Sequence, residues 1–196
     1  MRLSVLADTL HLFNKYMRIT LRMPWWSLFT LIQPLIWLLI FGQLFRNMAQ
    51  IPGFPTSNYV DFFVPGVLIM TVLFGSSWSG VSLLREITAG TVDKMLVAPI
   101  SRVAIVLSRV LHSAVQVVAQ TIVMLIVALL MGAAASINPL HILGAMSVVL
   151  ALGVLFAALS NGFAIKLQRE EPLVMIGNLM TLPLMFFSTA LVPASF

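Results

Sequence analysis

Side chains able to do covalent or proton chemistry are few and scattered in this 196-residue chain. There is no cysteine, and the three histidines, His11, His112 and His141, lie far apart, so the sequence offers no thiolate nucleophile, no disulfide and no Cys/His metal cluster. A phosphate-cradling P-loop needs G-x-x-x-x-G-K-[ST], and no Gly-Lys pair occurs anywhere. Acidic and basic groups meet instead in the segment 85–102, from Arg85 and Glu86 through Gly90, Thr91, Asp93 and Lys94 to Pro99 and Arg102. The chemistry open to such a segment is recognition. Thr91 can cap a helix, Asp93 falls in the first turn where the helix dipole favours an anion, and Pro99 pushes Ala98 out of helical geometry. About two turns result, on which Val92, Met95 and Leu96 recur at i, i+3 and i+4 as a small apolar face for a partner. The same residues would equally serve an ordinary solvated loop.

The elements that position this segment are set by an apolar composition: 60% of residues are hydrophobic and 9% charged. So few charges cannot coat a water-soluble domain of this length, which excludes a soluble enzyme or nucleic-acid module. Runs of roughly 20 apolar residues without charge cross a hydrocarbon core about 30 Å thick. The uncharged runs predict five spans, at about 25–45, 62–84, 110–132, 140–165 and 173–192. Between the third and fourth, Gly132 to Pro139 supplies turn chemistry. With the N-terminus inside, ten of the eleven basic residues fall in cytoplasmic segments and only Arg46 lies outside. No continuous apolar h-region marks a cleavable signal peptide.

Residues 1–23 pattern as an amphipathic surface helix, with Leu3, Leu6, Leu10, Phe13 and Met17 on one stripe and Asp8, Lys15, Arg18 and Arg22 opposite. Its partner is the headgroup layer or another protein. All five predicted spans lack Asp, Glu, Lys and Arg, which argues against an ion-coupled carrier. His112 and His141 sit near span ends, where an interfacial or hydrogen-bonded histidine is the ordinary case. In the second span Gly75 with Ser79 and Ser76 with Gly80 form small-x-x-x-small pairs that suit close helix packing. Alternatively Ser76, Ser77 and Trp78, with Gln33 and Asn178, line a substrate path. Gln116, Gln120 and Asn161 pose the same choice, since each needs a partner in lipid.

Glu86, Gly90-Thr91 and the run from Met95 to Arg102, MLVAPISR, resemble the signature loop of ABC-2 type transporter membrane subunits, in which an acidic residue precedes a Gly-Thr turn and an LL-x-x-P-I-S-R ending. The resemblance extends upstream to Gln33-Pro34 and Phe62–Leu68 and downstream to Leu182–Ser188 and Val192-Pro193. Val72–Ser77 is most similar to the daunorubicin-resistance, drug-export branch. The resemblance implies an all-α polytopic transmembrane bundle with an N-terminal interfacial helix. It further implies a permease subunit of an exporter in the inner (cytoplasmic) membrane that moves a hydrophobic or amphipathic compound outward. It implies no ATPase or cofactor site in this chain: ATP and Mg belong to a separate cytoplasmic ABC ATPase, two copies of which join two membrane subunits. Glu86, Gly90, Thr91, Val92, Asp93, Lys94, Met95, Leu96, Pro99 and Arg102 then form the coupling loop, with Glu86 expected to pair with a basic group or helix end. The family has six spans, so the chain reads as C-terminally incomplete. A lipid-linked glycan exporter subunit and a non-transporting scaffold or fragment are the competing readings.

Overall fold

The computed structural model describes residues 5–50, 54, 56, 58–133 and 139–187, the side chains of 24, 26–28, 139, 141 and 180–187 excepted. Among these residues seven α-helices and one short 3-10 helix follow in order: α1 Val5–Arg22, α2 Pro24–Leu44, the 3-10 helix Arg46–Gln50, α3 Tyr59–Thr88, α4 Thr91–Val97, α5 Arg102–Leu130, α6 Pro139–Leu167 and α7 Glu170–Phe187. No strand occurs among the described residues, so the fold is the all-α bundle the sequence implies. Among the described residues three helices are long and apolar enough to cross a membrane, Tyr59–Thr88, Arg102–Leu130 and Ile142–Leu167, and Phe29–Leu44 is a shorter apolar helix. The far end of the predicted fifth span, 188–192, Leu3 of the amphipathic stripe, and Ser188 and Val192-Pro193 of the family resemblance lie outside the described residues.

Local chemistry fixes the helix ends. Asn58 caps α3: its Oδ1 accepts from the Val60 N–H at 3.2 Å, while its Nδ2 donates to the Gly132 carbonyl at 3.0 Å. Gly132 closes α5 at φ 89°, with its own N–H on Leu129 O and the Ala133 N–H on Ala128 O, each at 3.0 Å. That pair of bonds is a Schellman closure, and its left-handed residue strongly favours glycine. The predicted break after Gly132 is thus present, although 134–138 fall outside the described residues.

α3 is the centre of the bundle and packs against α2, α4, α5, α6 and α7. Its inner face, including Phe63, Val67 and Val72, is buried with Leu31 and Leu38 of α2 and Val117 and Met124 of α5. Around its N-terminal end Phe41, Phe45, Phe54, Tyr59, Phe62 and Phe63 form a chain of ring contacts, Tyr59 and Phe63 being stacked at 5.6 Å. A polar seam runs between α3, α5 and α6. The Ser113 hydroxyl and the Asn161 amide both donate to Ser79 Oγ at 2.9 Å, and Ser160 Oγ accepts from the Gly80 N–H and donates to the Ser77 carbonyl at 2.6 Å. Gln120 Nε2 reaches Thr30 Oγ1 at 2.9 Å. In a bilayer such polar groups bond across helices because lipid offers them nothing.

α1 departs from the expected division of faces. Leu6 and Leu10 are exposed as an interfacial helix requires, but Asp8 of the predicted polar side is buried with Thr9, Leu12 and Tyr16 against the bundle. The reason is a distant helix end: Asp8 Oδ2 accepts the Ser101 N–H at 3.1 Å, at the start of α5. α5 carries Arg102 in its first turn and has no side-chain cap of its own, so a carboxylate from α1 supplies the anion its dipole favours.

Candidate functional site

α4 lies across one end of the bundle. Gly90, at φ 66°, turns the chain out of α3 and takes the cap position, so Thr91 is the first helical residue and not the cap. The stop is as expected: Ala98 is extended at ψ 154° ahead of Pro99. The predicted face does not stay together. Met95, 9% exposed, packs with Leu12 and Tyr16 of α1 and Ala104 and Ile105 of α5. Val92 packs on the other side against the cluster of Val81, Leu83, Leu84, Ala164 and Leu173. At 100° per residue, Val92 and Met95 bound the inward arc, Leu96 falls at its rim and Val97 points away. Leu96 is accordingly 44% exposed and Val97 90%. The apolar surface left open is Leu96 and Val97, flanked by exposed Asp93, Lys94 and Pro99. Val97 escaped the periodicity argument because a seven-residue helix repeats nothing twice.

Glu86, in the last turn of α3, joins three helices. Its Oε2 lies 2.6 Å from Arg109 Nη2 of α5 and accepts the Tyr16 hydroxyl of α1 at 3.1 Å; its Oε1 lies 3.8 Å from Lys15 Nζ. Arg109 is only 4% exposed, and Tyr16 is flanked by cations, with the Arg109 guanidinium carbon 4.8 Å and Lys15 Nζ 5.1 Å from its ring centre. Burial pushes the Tyr16 phenol up to about 12; the Arg109 charge pulls the other way and Glu86 adds to the rise. The phenol therefore stays protonated and donates. The Arg109 contact meets the ion-pair distance without hydrogen-bond geometry at Nη2, and Nε has no hydrogen-bond partner among the described residues. The pair is coulombic first. Beside it Thr20 Oγ1 and His112 Nε2 are 2.7 Å apart, giving His112 the hydrogen-bonded role. At the outer edge Arg85 and Glu170 pair at 2.9 Å, an exposed contact worth under about 1 kcal/mol.

The residues offered as a substrate path are dispersed. Ser76 is buried at a helix contact, Ser77 lines a small cavity with α6 and α7, and Trp78 faces a cleft shared with α1. Gln33 of α2 and Asn178 of α7 are exposed. Gly75 and Gly80 serve close packing, against Gln120 and the Ser160 backbone respectively. Gln116 lines the cleft, whereas Gln120 and Asn161 are buried in the seam. Among the described residues no group of His, Asp or Glu is placed to hold a metal.

No solved structure matches the chain. Among curated proteins, it is 32% identical over 173 residues to the ycf38 protein of Pyropia yezoensis and 30% identical over 168 residues to that of Cyanophora paradoxa, in each case over 85% of this chain and 57% of the relative. It is 26% identical over 161 residues to the daunorubicin resistance ABC transporter permease protein DrrB1 of Streptomyces coeruleorubidus, covering 82% of this chain and 56% of that protein. The chain thus spans a little over half the length of these relatives. The family model for ABC-2 type transporters matches residues 8–196, which takes in α1 from Asp8 onward, the whole α3–α4–α5 corner with its Glu86 junction, and the polar seam, so the chain belongs to the ABC-2 type transporter family.

Proposed function

We propose that the chain is the membrane-spanning permease subunit of an ATP-driven exporter for a hydrophobic or amphipathic, drug-like compound, with α4 docking on a separate cytoplasmic ABC ATPase. The observation that carries this is the exposed Leu96–Val97 tip on a helix braced from both sides by Met95 and Val92. An apolar tip on a rigid mount can transmit force, while a solvated loop needs neither. The drug-resistance name of a relative favours outward movement of an amphipathic substrate. In the same reading two ATPases serve two membrane subunits, ATP and Mg stay on the ATPases, and residues 1–23 and 85–102 lie on the cytoplasmic side of the cell membrane.

Two results test it. Leu96→Asp and Val97→Asp should leave the subunit folded and inserted while co-purification with the ATPase falls by about tenfold or more, as for an interface anchor given an unpaired charge. Met95→Asp should instead lower the yield of folded subunit, because its side chain is part of the internal core. A Val97→Asp variant that still co-purifies and supports normal export overturns the docking role. For orientation, single cysteines placed in this cysteine-free chain should label from outside at Gln50, and at Thr88 or Gln168 only after permeabilisation. External labelling of Thr88 would reverse the topology.

A further inference from the structure

Two clefts meet beside the Glu86 junction. The first, about 200 Å³, is lined by Tyr16, Thr20, Trp78, Arg109, His112 and Gln116 among others. The second, about 210 Å³, continues from Thr20, His112 and Gln116 along Met17, Leu31, Val115, Ala119 and Val123. Taken together they reach the usual size of a small-molecule site, with polar groups at one end and aliphatic walls at the other. Val115 and Leu21, at the apolar end, are exposed on the bundle surface. The polar end holds a buried cation: Arg109, 4% exposed, lines this cleft, its Nη2 lies against the Glu86 carboxylate, and its Nε has no hydrogen-bond partner among the described residues. At the junction two cations, Lys15 and Arg109, face the single carboxylate Glu86, and of the three Arg109 and Glu86 line the cleft.

We propose that this double cleft is a binding site for an anionic phospholipid of the surrounding leaflet. The phosphate lies at Arg109, Thr20 and His112, and one acyl chain runs over Val115, Ala119 and Val123. A guanidinium lining a cleft beside a hydroxyl and an imidazole favours an oxyanion, and a neighbouring aliphatic channel open to the bilayer selects one that carries a chain. Thr20 and Met17 belong to α1, so the bound lipid would fasten the interfacial helix to the spans.

Native mass spectrometry of the full chain, titrated with phosphatidylglycerol or phosphatidylcholine, tests the proposal. One phosphatidylglycerol per chain should bind at a concentration about tenfold lower than phosphatidylcholine, with or without the ATPase and ATP. Ala119→Phe, which fills the channel, should abolish that adduct. Glu86→Gln with Arg109→Gln, which removes both charges together and keeps a hydrogen-bonding pair, should abolish the preference while an unshifted gel-filtration profile reports the fold. Equal binding of the two lipids overturns the proposal. So does displacement by glycerol phosphate at the lipid's own concentration, which would make the ligand a free anion. An adduct seen on single chains and absent from a two-copy species also overturns it, because the second copy would then be what covers the cleft.

Discussion

Substituting alanine for Gly80 should cost the subunit most of its folded yield. A Cβ at this position would lie 2.6 Å from the Ser160 carbonyl carbon and closer still to its oxygen, and these are backbone atoms of α6 with no rotamer to escape into. Overpacking of a side-chain core costs about 1–3 kcal/mol, and a backbone contact belongs at or above the top of that range because α6 must shift as a whole. The shift would also break the Ser160 bonds to the Gly80 N–H and the Ser77 carbonyl. Gly75→Ala should be milder: its Cβ would lie 2.7 Å from Gln120 Oε1, the end of a side chain that can swing away from Thr30. Gly162→Ala, with nothing within 4 Å, should be neutral or stabilising by up to about 1 kcal/mol. Thermal unfolding in detergent, read by loss of the monodisperse peak, should rank the three in that order; equal effects at Gly80 and Gly162 would refute the tight α3–α6 crossing.

A second large effect is expected at the α1–α3–α5 junction. Glu86→Ala leaves the Arg109 guanidinium buried without its carboxylate, a loss of about 3–5 kcal/mol for a desolvated pair. Tyr16→Phe removes one hydrogen bond and should cost nearer about 1 kcal/mol. Lys15→Ala should cost less still, its ammonium being partly exposed and 3.8 Å away. Joining Arg109→Met to Glu86→Ala should recover most of the loss, since replacing both members of a buried pair by apolar groups is often close to neutral. Under the proposed exporter reading the double variant separates two roles: if it folds but exports nothing, the charges serve coupling, and if it exports normally, they serve only packing. Additivity of the two single losses would show that Glu86 and Arg109 do not interact.

The helices themselves were readable from uncharged apolar runs, because a bilayer demands continuous segments and leaves charges only at their ends. The break at Gly132 and the stop at Pro99 were readable because each rests on the backbone of one or two residues. Glu86 could be expected to seek a cation, but which one could not be read: Arg109 becomes its neighbour only when α5 packs on α3, and Lys15 only when α1 folds back along α5. Asp8 departs from its polar side for the same reason, since a wheel of α1 does not show that the start of α5 lies against it. Ser76, Ser77 and Trp78 look alike as a polar run, yet successive helical residues diverge by 100° and so reach three different surroundings.

The clamping of α4 between two clusters also bears on how the gene can vary in length. Surface connections usually tolerate insertions. Here both ends of a seven-residue helix are pinned, by left-handed Gly90 and by the Ala98-Pro99 stop. One extra codon after Thr91 would advance the register so that Lys94 took the place of Met95, pressing an ammonium among Leu12, Ala104 and Ile105 while Leu96 replaced Val97 at the tip. Variation at this corner is therefore expected as substitution at the exposed positions Asp93, Lys94, Leu96 and Val97, where a change of side chain alters the outward face without moving the helix that carries it.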